Sequence, residues 1–290
     1  MNNPGRVAES NVAGFTGSLT LEDFRRLSGL IHESCGIKLP EVKRSMLEAR
    51  LSKRLKALRM PSFRAYCDFL FSTDGMQNEL LRMIDVVTTN KTDFFRESHH
   101  FTYLVNTALP GLLHQGVGKM RALAAWSAGC STGEEVYTLS MVLTEFAAVN
   151  QGYRFSILGT DISETVLQKA RAGIYDSEKV EPIPQNLKKK YLLRSKTSDL
   201  VKIGPELRRA VRFGRLNLMD RDYAMAERLH VIFCRNVIIY FDAQTQLALL
   251  KKLCANLADG GYLFMGHSEM LDTAALPLTQ CAPTVYRKTR

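Results

Sequence analysis

The chain lacks most of the marks of a membrane, secreted or metal-bound protein. No apolar run approaches the ~18 residues that span a bilayer. The cysteines at positions 35, 67, 130, 234, 254 and 281 are scattered and form no C-x-x-C pair. Their spacing therefore signals neither a zinc site, nor a redox motif, nor a disulfide-stapled scaffold. The first twenty residues are polar and rich in Gly, Asn and Ser, without the apolar centre of a signal peptide. Together these absences predict a cytosolic protein. No internal repeat or long low-complexity stretch is present. What is present is ordinary for a folded protein: 290 residues, 46% hydrophobic and 23% charged. That length accommodates two domains of about 100–200 residues, each with its own core. The uncommon quantity is the charge, 39 Lys and Arg against 29 Asp and Glu, a formal +10. It predicts an acidic partner, which nucleic acid, a membrane surface and an acidic protein satisfy equally.

Residues 1–19 are expected to be disordered, and residues 20–88 to form a small all-helical domain. Thr20-Leu21-Glu22-Asp23 has capping-box spacing, and Leu21, Phe24, Leu27, Leu30 and Ile31 then share one helical face as far as Gly36. A second helix begins near Glu41, carries Leu47, Leu51, Leu55 and Leu58 as its apolar stripe, and stops at Pro61. Its remaining face holds Lys43, Arg44, Arg50, Lys53, Arg54, Lys56 and Arg59, opposed only by Glu41 and Glu48. Two further helices are expected over Phe63–Phe71 and Gln77–Val87.

From about residue 120 short apolar runs alternate with helical patterns. Strands are expected at Arg121–Ser127, Tyr153–Leu158, His230–Cys234 and Tyr262–Met265, with a last one at Thr284–Arg287. Helices are expected at Glu134–Ala147, Glu164–Ala172 and Gln244–Leu257. Buried strands alternating with helices predict an α/β sheet covered on both faces. The stretch from about 175 to 216 interrupts the rhythm with Pro182, Pro184, three consecutive lysines and the strand-like Leu200–Ile203 and Val211–Phe213. It reads as an inserted subdomain.

Strand, then Ala128-Gly129-Cys130-Ser131-Thr132-Gly133-Glu134-Glu135, then helix, is the first βα turn of a nucleotide-type fold. The middle glycine of G-x-G-x-x-G is missing, and two acids open the helix, where they repel a pyrophosphate. A ligand with a positive amino or sulfonium group and no phosphate suits them, as S-adenosylmethionine does; an ordinary capped turn fits equally on this motif alone. Asp161, ending the second strand, stands where such folds bind a ribose diol, unless it only caps the next helix. Arg235 and Asn236 follow the His230–Cys234 strand at the carboxyl end of the sheet, with Tyr240 beyond, and suit positioning rather than proton transfer. Thr88–Glu97 joins the domains, its Phe94 and Phe95 serving either as packing or as part of a lid. His99 and His100 lack partner spacing and read as packing or surface residues. His267-Ser268-Glu269 suggests a hydrolase fragment, but no nucleophile elbow accompanies it.

Five segments stand in one order: TTNKTDFFRESHHF from Thr88, WSAGCSTGEEVYTLS from Trp126, FSILGTDIS from Phe155, FCRNVIIYF from Phe233 and GYLFMGHSE from Gly261. In this the chain resembles the chemotaxis receptor glutamate O-methyltransferases, the CheR family, from about residue 20 to 287. The resemblance implies an α/β, Rossmann-like class I S-adenosylmethionine-dependent methyltransferase domain over 89–290, with a small β-subdomain, preceded by the all-α domain. It implies cofactor contacts from Asn90, Thr92, Arg96, Gly129, Glu134, Asp161, Asn217, Leu218, Arg235 and Asn236, with Arg96 and Tyr240 in the catalytic site. No metal is implied. An ionised glutamate would attack the sulfonium methyl in line, leaving S-adenosylhomocysteine, with no general base required. The partners implied are the acidic cytoplasmic methylation helices of transmembrane receptors, met by a cytoplasmic and monomeric enzyme that neither enters the membrane nor binds nucleic acid. Lys43, Arg50, Lys53 and Arg54 of the basic helix become the docking residues, and the charge of +10 is traced to that helix. Some family members also bind a receptor C-terminal peptide tether through a longer, glycine-bearing loop of the β-subdomain. Arg194–Leu200 here is short and has no glycine, which predicts independence from the tether. The competing readings are a nucleic-acid methyltransferase, which the charge suits, and a non-catalytic regulator that keeps the fold.

Overall fold

Ser62, Ser72, Ser163 and Asp242 each stand immediately before a helix and accept a hydrogen bond from a backbone N–H three residues on, at 2.9–3.3 Å. These caps satisfy otherwise orphaned N–H groups and fix where four helices begin. A computed structural model describes residues 17–289. The expected disorder of residues 1–19 therefore lies, for 1–16, outside the described residues. The chain divides into two compact units. One takes in the described residues up to Ser34 and Lys38–Val87, the other residues 35–37 and everything from Thr88.

The first unit holds α1 (Leu21–Cys35), α2 (Arg44–Leu58), α3 (Phe63–Leu70), α4 (Thr73–Asn78) and α5 (Leu80–Val87). Its core is the apolar stripe read from the sequence: Phe24, Leu27, Ile31, Leu47, Leu51 and Leu55, joined by Phe63, Tyr66, Leu70, Met83 and Ile84. The helix expected over Gln77–Val87 is two helices meeting at Glu79. Gly75 makes this possible by letting α4 fold back onto the end of α3; a Cβ there would lie 2.1 Å from the Phe69 carbonyl oxygen.

The second unit is built on α6 (His99–Tyr103), α7 (Leu109–His114), β1 (Leu123–Ala128), α8 (Glu134–Val149), β2 (Phe155–Asp161), α9 (Glu164–Ala172), β3 (Ile174–Asp176), α10 (Gln185–Tyr191), β4 (Leu192–Arg194), β5 (Leu200–Ile203), α11 (Pro205–Arg208), β6 (Val211–Arg215), β7 (Leu229–Cys234), α12 (Ala243–Asn256), β8 (Leu257–Met265), β9 (Leu278–Ala282) and β10 (Val285–Lys288). Seven strands form one sheet in the order β6-β2-β1-β7-β8-β10-β9. The first five are mutually parallel and β10 is antiparallel to both its neighbours. Alternate residues of β1 feed opposite cores: Leu123 and Ala125 pack with α8 and Phe101, whereas Ala124 and Trp126 pack with α12. A sheet sealed on both faces explains why its strands read as continuous apolar runs. The small antiparallel sheet has the order β3-β5-β4 and covers its own core of Tyr175, Val201, Ile203 and Leu207. Val211–Phe213, expected in the insertion, belongs instead to β6 at the edge of the main sheet, paired to β2. The small sheet gains β3 and β4 in its place. No helix among the described residues is long and apolar enough to cross a membrane.

Candidate active site

The sheet order reverses between β1 and β7, so the chain leaves these two neighbouring strands in opposite directions and opens a crevice at their carboxyl ends. Three loops reach it: 129–133 after β1, 235–240 after β7, and the segment 90–97. Seven non-glycine residues among those described have positive φ, and four lie in these loops: Phe95, Glu97, Ser131 and Asn236, at 49–59°. Backbone held in this sparsely populated region concentrates where a ligand dictates loop shape.

The loop after β1 shows how the sequence builds the crevice. Gly129 (φ 78°) and Gly133 (φ 95°) are left-handed, and a Cβ on Gly129 would meet Val237 Cγ2 at 2.7 Å. The Gly129 and Cys130 N–H groups donate to Thr160 O at 2.8 and 2.9 Å, tying the loop to the end of β2. Asp161 holds it from the same strand. Its Oδ2 accepts from Ser131 N–H at 2.9 Å and its Oδ1 from Ser163 N–H at 3.0 Å. The cap of α9 is Ser163, so Asp161 does not have that duty. A carboxylate oxygen accepts more than one hydrogen bond, the capacity that binding a vicinal diol requires.

Glu134 opens α8 with 1% of its surface exposed. Its Oε2 accepts from Thr132 Oγ1 at 2.6 Å, and the Lys179 ammonium stands 3.8 Å from Oε1. That lysine is shared with Asp93 at 2.8 Å and with the Thr92 carbonyl. Burial pushes the Glu134 carboxyl above its usual range, only partly offset by Thr132 and Lys179. A buried acid with so distant a cation suits a ligand's ammonium group. The glycine loop, whose helix opens on two buried acids, thus fits S-adenosylmethionine.

Arg235 directly follows β7. It is buried, donating from Nε to Glu135 Oε2 at 2.7 Å and from Nη1 to the Arg96 carbonyl at 2.8 Å, with Glu97 Oε2 at 3.4 Å. Its guanidinium lies over the rings of Phe101 and Phe233. Nε and Nη1 are committed within the protein, where they tie the 235–240 loop to segment 90–97 and to α8. His100 completes the network, accepting at Nδ1 from Arg235 at 3.0 Å while Nε2 donates to Thr284 Oγ1 at 2.9 Å. Burial, then Arg235, pull the imidazole down to about 4, so it is neutral near pH 7. Burial alone would raise the Glu97 carboxyl, but Arg235, backbone N–H donation and Asn236 hold it below its usual value.

The other sequence-predicted residues divide. Asn90 receives Ser131 Oγ on its carbonyl at 2.8 Å, bringing segment 90–97 onto the glycine loop. Arg96 is half-exposed; its Nη1 donates to Lys91 O at 3.2 Å, and Glu97 approaches its Nε at 4.0 Å. Asn217 caps its own turn through Met219 N–H at 3.0 Å, and Leu218 O takes Tyr223 Oη at 2.8 Å. Asn236 N–H donates to Glu269 Oε2 at 2.7 Å, and its side-chain amide lies 3.4 Å from Glu97 Oε1. Tyr240 ends the short 3₁₀ turn Ile238–Tyr240 and is half-buried. Glu135 and Glu97 were not among the expected site residues; the Arg235 that pairs with both, and the Asn236 that meets Glu97, lie 100 to 139 residues away in sequence.

Of the expected docking residues, Lys43 and Lys53 are exposed, but Arg54 is not available. It forms a two-pronged pair with Glu79 at 2.7 and 2.5 Å, and Tyr66 Oη donates to the same carboxylate at 3.1 Å. Arg50 donates to the Val87 carbonyl. Both arginines serve packing of α2 against α5.

Residues 22–88 match a family model described as CheR methyltransferase, all-alpha domain, and residues 90–286 match CheR methyltransferase, SAM binding domain. The chain is 38% identical over 273 residues to a chemotaxis protein methyltransferase of Borreliella burgdorferi, covering 93% of this chain and 95% of that protein. It is equally identical over 275 residues to the chemotaxis protein methyltransferase of Escherichia coli, 93% of each chain. Chemotaxis protein methyltransferase 2 of Pseudomonas aeruginosa is 38% identical over 269 residues, 92% of this chain and 93% of that one.

Proposed function

The chain belongs to the CheR methyltransferase family, and we propose that it methylates glutamate side chains of chemotaxis receptors to glutamyl methyl esters. The observation that carries this reading is the match of both domain models in sequence, joined to a glycine loop whose helix opens on two buried acids. When bound, S-adenosylmethionine supplies an electrophilic methyl group on a sulfonium centre. An ionised glutamate needs no base, so this chain is asked for placement and restraint. Glu134 receives the ammonium end of the cofactor, Asp161 its ribose diol, and Asn217 and Leu218 border the adenine. Asn90, Thr92 and Gly129 close the pocket, and Arg235 keeps the Arg96 and Asn236 loops together. Arg96, whose guanidinium makes a single side-chain hydrogen bond among the described residues, restrains the substrate carboxylate, with Tyr240 beside it.

Residues 20–88 take the receptor's cytoplasmic methylation helices, through Lys43 and Lys53, and residues 89–290 take the cofactor. The enzyme works in the cytoplasm as a monomer, without nucleic acid and without entering the membrane. It does not depend on a receptor tether. Support for this is the closed hairpin between β4 and β5, where Ser195 Oγ accepts from the Thr197 and Ser198 N–H groups at 3.2 Å each. Incubation with labelled cofactor and receptor-bearing membranes, followed by alkali, tests the activity. Volatile label, released as methanol, is the expected result; label stable to base, or none, overturns it.

A further inference from the structure

Glu269 lies in the turn after β8, beside the Asn236 turn after β7, and takes no part in the chemistry above. It is 3% exposed, and among the described residues no Lys, Arg or His pairs with it. Its carboxylate is held by peptide N–H groups. Oε2 accepts from Asn236 and Gly266 at 2.7 Å each, and Oε1 from Ile239 at 3.4 Å. Burial raises the carboxyl above its usual range, against the N–H groups of Gly266, Asn236, Ile239 and Val237. A buried acid without a counter-cation is costly unless its hydrogen bonds are complete, and this one divides them between the turn after β7, at Asn236 and Ile239, and Gly266 of its own turn.

The turn after β7 is also constrained from its other sides. Asn236 is left-handed (φ 59°), and its N–H donates to the carboxylate. Gly266 has no room for a side chain, since a Cβ would come 2.6 Å from Asn236 Nδ2 and 2.7 Å from Glu269 Oε2. Glu97 meets the Asn236 amide from the third loop. Asn236 is thus gripped by Glu269 on its backbone and by Glu97 on its side chain.

We propose that Glu269 is a positioning residue, which locks the 236–240 turn through its backbone N–H groups and thereby sets Asn236 against the cofactor and Tyr240 beside the substrate carboxylate. The inference rests on the cofactor and catalytic roles given to those two residues above. The Gln side chain has the size of Glu but replaces one carboxylate oxygen by an NH2, so it cannot accept from all the N–H donors that meet Oε1 and Oε2, and a buried donor left unmet weakens the lock. The test is calorimetry of S-adenosylhomocysteine binding to wild type, Glu269→Gln and Glu269→Asp, with melting temperatures alongside. Glu269→Gln should raise Kd about tenfold while each folded molecule still binds one equivalent, and Glu269→Asp should lie between. A merely structural role would lower melting temperature and binding stoichiometry but leave Kd at the wild-type value, and that result overturns the proposal. Should Glu269→Gln fail to fold, Glu269→Asp is judged by the same Kd criterion. Wild type that binds the product but never methylates receptors would defeat the proposed function and leave this comparison standing.

Discussion

At the scale of single residues, the crevice separates groups that face a ligand from groups that hold those groups in place. Arg96 and Arg235 illustrate the division. Both are arginines in motif segments, yet Arg235 is sealed between Glu135, Glu97 and two aromatic rings, while Arg96 is half-exposed. Arg96→Ala should therefore lower kcat about a hundredfold while the Kd for S-adenosylhomocysteine stays within about threefold; unchanged turnover would remove Arg96 from the catalytic site. His100 gives a prediction of a different kind. Its folded value of about 4 lies below the unfolded 6.5, so the unfolded chain binds more protons between those values. Stability from the buried neutral ring is then complete above pH 6.5 and is lost as pH falls toward 4, by up to about 3 kcal/mol. Urea titrations from pH 7 to 5 should show this slope in wild type and a flatter one in His100→Gln; equal slopes would refute it. Residue types at fixed offsets pointed to Asp161 and Glu134 as candidates, and the family resemblance to Arg96. The Glu135–Arg235 and Glu97–Asn236 pairs were not legible in the sequence, because pairing across 100 and 139 residues is created by the sheet and leaves no local pattern.

Elements were read best where one rule governed them. The helix expected at Glu164–Ala172 has those bounds, set by the Ser163 cap and the left-handed Gly173. The run from His99 to His114 went unread, since Pro110 falls within it and a π-helical stretch over Leu104–Ala108 breaks the 3.6-residue period. β9 was missed too: it is a largely exposed edge strand with no apolar run. The basic helix α2 shows what periodicity conceals. Its cations look alike in sequence, but the side chain of Arg54 is only 16% exposed and that of its partner Glu79 only 3%. Arg54→Ala leaves that carboxylate buried and unpaired, and should destabilise the protein by about 3 kcal/mol in denaturant titration, whereas Lys53→Glu should leave stability within about 0.5 kcal/mol. Reversal of Lys43 and Lys53 is thus the clean probe of docking. It should slow receptor methylation at low salt and blunt its salt dependence; an unaltered rate would place docking elsewhere. Gly129→Ala probes the loop after β1, where positive φ and Val237 both oppose a side chain. Weakened cofactor binding is expected, and wild-type affinity would contradict the close approach.

For the whole molecule, both the two-part organisation and the nucleotide-type sheet were legible from the change of texture near residue 120. The placement of charge was read less well. Residues 164–216 hold 13 Lys and Arg but only six Asp and Glu, whereas residues 21–88 hold 12 against nine. Most of the excess of +10 therefore lies around the small sheet and β6 rather than on α2, because acids elsewhere in the helical unit offset that helix. Tether independence belongs to this scale as well: calorimetry with a receptor C-terminal pentapeptide should detect no binding, and tight binding would refute it. The central claim is that a receptor glutamate oxygen receives the methyl group. Mass-spectrometric peptide mapping of receptor cytoplasmic domains, after incubation with the enzyme and S-adenosylmethionine, tests it most directly. The account predicts single methyl groups on glutamate side chains, removed by mild alkali and strongly reduced at equal reaction times with Arg96→Ala. Methyl groups on any other side chain, or an unmodified receptor beside methylated nucleic acid, would contradict it.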